Sequence, residues 1–406
     1  MAGLDTTSFA AALKELYTPD KLQELVLKKR PMMALCKKNE AFVGEWAKQP
    51  TLYANPQNAS ATFATASAET STSSLSAFLV TRAKYFGFAT VDNEVLKASA
   101  GDEGAFASAV ETEVSGMINQ VANSIAQQMY RSGWGTLGQI GSITSTTITL
   151  TDATSAFNFE KGMKIVFAAT ESASALGSAT SVTVVSVNRA AGQIVIDGTT
   201  GSPANTNYIF KDGDRQNSAT PSRLCLSGLS AWIPRVAPVA GSDSFFGVDR
   251  SVDSRLYGNS YDGSSVPIEE AFLDGIRISA QNGGSPDYIF TNPVQFTALT
   301  KSLGSKVQYI DMSVGKVGFR GIEIQGETGP VTVMQDIWAP GDTAFVVESD
   351  NLLLHSLGAC PQIFDTDGLT ELRVSTADAV QTRIYSYAQL RVLEPSHFVN
   401  IKLASA

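Results

Sequence analysis

The sequence predicts an α+β fold carrying an inserted β domain, and three stretches make that prediction. From Gly104 to Gly133 the apolar residues Phe106, Val110, Val114, Met117, Ile118, Val121, Ile125 and Met129 recur every three or four positions and so line one helical face. From Leu137 to Arg215 the chain breaks into short β-rich runs separated by Gly, Asn and Asp, the pattern of a small barrel or sandwich. From Val380 to Val392 apolar and polar residues alternate over much of the length, giving a long strand with two unlike faces.

Composition bounds what such a chain does. Its 406 residues call for two or three domains, and 43% hydrophobic residues suffice to build cores. Charged residues are only 17% while Ser, Thr, Ala and Gly abound, which suits broad uncharged contact surfaces. A net charge of −9 argues against nucleic acid as the main partner. No apolar run reaches the length of a membrane span, and Met1 to Ala12 lacks the features of a signal peptide, so synthesis in a cytoplasm is expected. Cys36, Cys225 and Cys360 are odd in number and widely spaced, which fits reduced buried thiols. Asn58-Ala59-Ser60 has the form of a glycosylation sequon, but without a secretory signal it carries no meaning.

Along the chain, the first forty residues read as two helical segments, the second interrupted by Pro31. Lys21, Lys28, Lys29, Arg30, Lys37 and Lys38 make this the most basic part; a solvated helix face is the plain reading, nucleic acid or an acidic neighbour the sharper one. Pro50 to Val80 is rich in Ala, Ser and Thr with scattered Tyr53, Phe63, Leu75 and Phe78, and holds no lysine. It cannot build a core of its own, so it is either disordered or an extended arm packing on something else. Apolar runs at Ser76 to Thr81 and at Tyr85 to Phe88 predict a two-stranded hairpin returning to the body.

The predicted helix from Gly104 to Gly133, capped by Asp102, makes a rod roughly 40 Å long at 1.5 Å per residue, able to act as a spine. Within the β region, Arg189-Ala190-Ala191-Gly192 reads as a hairpin turn. Beyond it the periods mix: a helix opened by Pro267, Glu269 and Glu270 and stopped at Asn282-Gly283-Gly284, a buried strand Asp287 to Thr291, and a second helix opened by Asn292-Pro293. Strand-like runs follow at Val331 to Val333, Ala344 to Val347 and Leu352 to Leu354.

No catalytic, cofactor-binding or metal site emerges. His355 and His397 stand apart, each among apolar residues, and are better read as structural than as base or ligand. Gly315, Gly318 and Gly321 lack dinucleotide spacing and read as a flexible surface loop, while Asp365-Thr366-Asp367-Gly368 and Asp212-Gly213-Asp214 lack the full ligand series of a calcium loop and read as tight turns. The chain is not expected to be an enzyme.

The order of these parts resembles the major capsid proteins of tailed bacteriophages, the HK97-like fold. Local stretches carry it too: Phe245 to Tyr257, Asp287 to Pro293, Ala339 to Val347 and Val380 to Val399. The resemblance implies an N-arm at 1–49, an E-loop at 50–90, a P-domain with the spine helix at 91–136, the inserted β domain at 137–215, mainly A-domain at 216–375, and the P-domain's closing strand and C-terminus at 376–406.

It further implies a homo-oligomer: pentamers and hexamers closing into an icosahedral shell, assembled in a host cytoplasm around packaged double-stranded DNA. Tyr53, Phe63, Leu75 and Phe78 are then inter-subunit contacts, and Lys28, Lys29 and Arg30 the candidate DNA-facing residues. The absence of lysine between Pro50 and Val80 implies a non-covalent shell, an arm beginning near Met1 implies a separate scaffolding protein, and the resemblance also implies a portal protein. The inserted domain is the candidate seat of a decoration protein. The spine helix should pack on the closing strand and turn Glu111, Asn119 and Gln127 to the shell interior or a neighbour. The alternatives are an encapsulin-type compartment shell or a secreted Ser/Thr-rich adhesin or surface-layer protein.

Overall fold

The computed structural model describes residues 30–69, 71–98, 109–176, 180–198, 202–215, 222–241, 243–304, 309–314, 317–365, 371–374 and 376–404. The closing strand, Ala379–Val392, organises one sheet. It pairs antiparallel with Ala83–Asp92 along ten residues, and with Leu352–Ser356, Gln362–Ile363 and Glu371–Arg373 at other points along its length. The N-arm adds Lys37–Asn39, parallel to Leu352–Ser356.

The spine helix, Ala109–Gln128, lies on this sheet; the expected first turns around Gly104 and Phe106 fall outside the described residues. Val121, Ile125 and Met129 are buried and Met117 and Ile118 half-buried, so the predicted stripe does face the core. The helix touches the closing strand but lies closest to Ala83–Asp92. A Cβ on Gly87 would stand 2.7 Å from Val121 Cγ2, so glycine is what lets helix and strand approach this near.

The predicted polar side is corrected in part. Gln127 is buried within its own chain, and Asn119 accepts from Arg30, so neither is turned wholly outward. The Glu111 side chain lies outside the described residues.

A second sheet runs in the order Asn259–Asp262, Val399–Lys402, Thr343–Val347, Tyr288–Thr291, Gly329–Gln335, Val317–Gly326, Tyr309–Val314. Helix Ile268–Gln281 packs its Ala271, Phe272 and Ile276 into the same core as Ile289, Val333 and Val346. Asn292 caps helix Pro293–Leu303 by accepting from the Val294 N–H at 3.2 Å, as the Asn-Pro pair predicts. The expected division at residue 375 is crossed twice: Leu352–Ser356 belongs to the closing strand's sheet, and the C-terminal Val399–Lys402 to this one.

The insertion is a closed barrel in the order Tyr208–Lys211, Thr136–Thr144, Thr147–Leu150, Gln193–Ile196, Val182–Asn188, Lys164–Ala168. It has its own core, including Ile140, Ile148, Phe159, Val184, Ile194 and Ile209. The turn at Arg189 to Gly192 joins two barrel strands, with Gly192 at φ +62°, a conformation glycine enters without strain.

Candidate assembly surfaces

The extended loop is a hairpin, but not the one predicted. Ser74–Thr81 pairs with Trp46–Ala54, while Tyr85 to Phe88 belongs to the strand on the closing strand. Period-two alternation sorts the hairpin's side chains onto two faces. Phe78 and Val80 point into the body and are fully buried. Phe78 lies edge-on to Trp232 at 5.4 Å and to Phe245 at 6.5 Å, so its expected role as a contact with a neighbouring subunit is corrected. Its partners lie over 150 positions away, beyond the reach of any local pattern.

Among the described residues the other face is unpartnered. The register sets Leu52 opposite Leu75 and Lys48 opposite Leu79, with Trp46 opposite Thr81. Leu52 is 53% exposed and Leu75 66%, and Phe63, on the helical turn Phe63–Ala68 at the tip, 88%. Tyr53 is half-buried against its own core, and its carbonyl accepts from Arg255. Of the four predicted contact residues, then, Phe63 and Leu75 stand free, Tyr53 partly so, and Phe78 not at all. The lysine-free interval holds for the tip, yet the hairpin also includes exposed Lys48 near its root.

The hairpin is fastened at both ends. At the root, Gln49 Nε2 donates to the Val392 carbonyl at 2.8 Å and the Leu79 N–H to the Phe246 carbonyl at 2.9 Å. At the tip, Asn58 clasps Ser71, accepting from its N–H at 2.9 Å and donating to its carbonyl at 3.0 Å. Here is the structural use of the sequon asparagine.

A second apolar surface was not foreseen. On the face of the closing sheet turned away from the spine helix, Phe86 and Phe88 are about half exposed, at 53% and 51%. The register places Tyr385 opposite Phe86. Tyr387 meets Phe86 edge-on at 5.9 Å and lies 5.0 Å from Tyr385, which touches Phe364 at 6.0 Å. Its signal was in the sequence: Phe86 and Phe88 share one parity of a strand whose other parity, Gly87, Ala89 and Val91, is buried.

The N-arm is tied to the body through Asp336. This buried carboxylate accepts from Tyr130 Oη at 2.8 Å, the Trp338 N–H at 3.0 Å and the Met32 N–H at 3.4 Å, and burial pushes it up to about 6. Arg30 Nε donates to Asn123 Oδ1 at 2.8 Å, placing its guanidinium on the spine helix; Lys28 and Lys29 lie outside the described residues. His355 stacks on Phe42 at 4.4 Å, and His397 Nδ1 sits 2.8 Å from Glu348 Oε2, both inside packing arrangements. Asp212 to Asp214 forms a turn; Thr366 to Gly368 lie outside the described residues.

Residues 204–404 match the family model described as SU10 major capsid protein. Among solved structures, a chain of the Cyanophage A-1(L) capsid asymmetric unit is similar at TM-score 0.55 and 13% identity, covering 96% of each chain. An encapsulin complex of Synechococcus elongatus is similar at 0.49 and 8%, covering 100% of this chain and 97% of that one. The capsid of a native GTA particle is similar at 0.48 and 8%, covering 96% and 95%. No curated protein matches the chain in sequence. This chain thus has the HK97-like fold of a phage capsid subunit over nearly its whole length, and its residues 204–404 carry the pattern of the SU10 major capsid protein family.

Proposed function

We propose that copies of this chain form pentamers and hexamers that close into an icosahedral shell around packaged double-stranded DNA, each copy laying its hairpin's apolar face on a neighbour. The observation that carries this reading is the paired exposure of Leu52 and Leu75 on a hairpin anchored at its root, with exposed Phe63 at its tip. Covering one such side chain contributes about 1.5–3 kcal/mol, and ring closure repeats that gain at every interface. The aromatic face at Phe86 and Tyr387 is the surface assigned to receive it.

The shell is held non-covalently, and scaffolding and portal proteins act with it during assembly in the host cytoplasm. Lys28 and Lys29 face the DNA, while Arg30 fastens their segment to the spine helix. Decoration proteins sit on the barrel.

The test is sedimentation of the purified protein beside a Leu52→Asp/Leu75→Asp variant. The wild type should sediment as rings or shells, and the variant as a folded monomer with unchanged circular dichroism. Equal assembly by both would sink the hairpin's role.

A further inference from the structure

Beneath the hairpin's exit, where Thr81, Arg82 and Ala83 pass to the next strand, lies a groove of about 430 Å³ walled by Trp134, Phe245 and Phe246. Arg223 enters it with its guanidinium carbon 5.3 Å from the Trp134 ring and 5.1 Å from the Phe245 ring. Among the described residues this guanidinium makes no hydrogen bond or ion pair, and its Nε is buried without a partner. Among the described residues the single carboxylate in the wall, Asp243, is already spent: Arg250 reaches its two oxygens through Nε at 2.8 Å and Nη2 at 3.0 Å. Arg82 also lines the groove, donating to the Phe42 carbonyl at 2.8 Å. The groove therefore carries net positive charge in a chain whose total is −9.

We propose that this groove binds a carboxylate side chain of an acidic peptide segment, with Arg223 as the two-pronged donor. A planar guanidinium held on aromatic faces is already oriented, so little freedom is lost when a carboxylate bridges two of its N–H groups. Aromatic walls suit the methylenes of a glutamate. The recess beside the hairpin root has room for a side chain. Burial, with Arg250 close by, pushes the Arg223 guanidinium below its ordinary value, the direction a bound anion would reverse. This goes beyond shell formation itself: whatever fills the groove also braces the hairpin's root, because Phe245 and Phe246 contact both.

The test uses the full-length unassembled protein and a penta-glutamate peptide, followed by tryptophan fluorescence and calorimetry. The wild type should bind saturably. Arg223→Gln should weaken binding by at least about tenfold, and Arg223→Lys, which keeps charge and stacking but loses the fork, should recover only part of it. Should Arg223→Gln fail to fold, Arg223→Lys alone decides. Absence of binding by the wild type, equal binding by the variants, or displacement of the peptide by an equal concentration of inorganic phosphate would overturn the proposal. If the Gln variant also stops the pure protein assembling, the acidic segment belongs to a second copy; if assembly is unchanged while peptide binding is lost, it belongs to another protein. The Leu52→Asp/Leu75→Asp variant should keep peptide binding, so failure of the hairpin reading is separable from failure of this one.

Discussion

Phe78 and Leu79 are adjacent in sequence and opposite in fate, one sealed against Trp232 and Phe245, the other open to solvent. Phe78→Ala should therefore destabilise the unassembled chain by about 3–5 kcal/mol in urea titration, the cost of emptying a fully buried ring. The run from Ser76 to Thr81 marks Phe78 as a strand residue, but nothing local says which face of that strand is covered; only distant Trp232 and Phe245 decide. The same holds for buried charge. Burial pushes both Asp214 and Asp336 up to about 6. Because these folded-state values exceed the ordinary 3.8, the native state holds more protons between those limits. The stability these groups contribute is thus complete below the unfolded value and lost as pH rises through about 6. Unfolding midpoints measured from pH 4 to 7 should fall with rising pH, and Asp336→Asn should flatten part of that slope. An unchanged slope in the variant would remove Asp336 from the account.

At the scale of elements, strong periodicity was legible and partner choice was not. The stripe of Val121, Ile125 and Met129 announced the spine helix, and the spaced β runs announced the barrel. Hairpin pairing was misassigned because Tyr85 to Phe88 is as strand-like as Trp46 to Ala54, and the choice between them rests on the closing strand far downstream. The barrel enters and leaves on paired strands, Thr136 opposite Phe210, so its ends lie about 5 Å apart. It meets the body through polar contacts, Lys211 Nζ to Tyr85 Oη at 2.9 Å and the Gly341 N–H to Asp152 Oδ2 at 3.1 Å. Replacing residues 136–211 by two glycines should leave a folded body of reduced melting temperature. Shells of that variant should also melt below those of the wild type; equal melting would show that the barrel does not stabilise the shell.

For the whole molecule, order mattered more than any motif: arm, loop, spine, insertion, mixed body and closing strand stand in the sequence in a capsid subunit's order. The order did not reveal that Val399–Lys402 leaves the closing sheet for the other, which ties the two bodies together through the last described residues. Nor did it reveal the aromatic face at Phe86, which only the shared parity of Phe86 and Phe88 signals. The non-covalent reading is checked by boiling assembled particles in detergent, where a single monomer band is expected and a ladder of cross-linked rings would contradict it.

The central claim is that an exposed hairpin face on one subunit is covered by the next. Electron microscopy of the purified, assembled protein tests it most directly. The account predicts closed shells in which Leu52, Leu75 and Phe63 of each copy lie buried against the aromatic face of a neighbour. Dispersed monomers, or shells in which those three side chains remain in solvent, would contradict it.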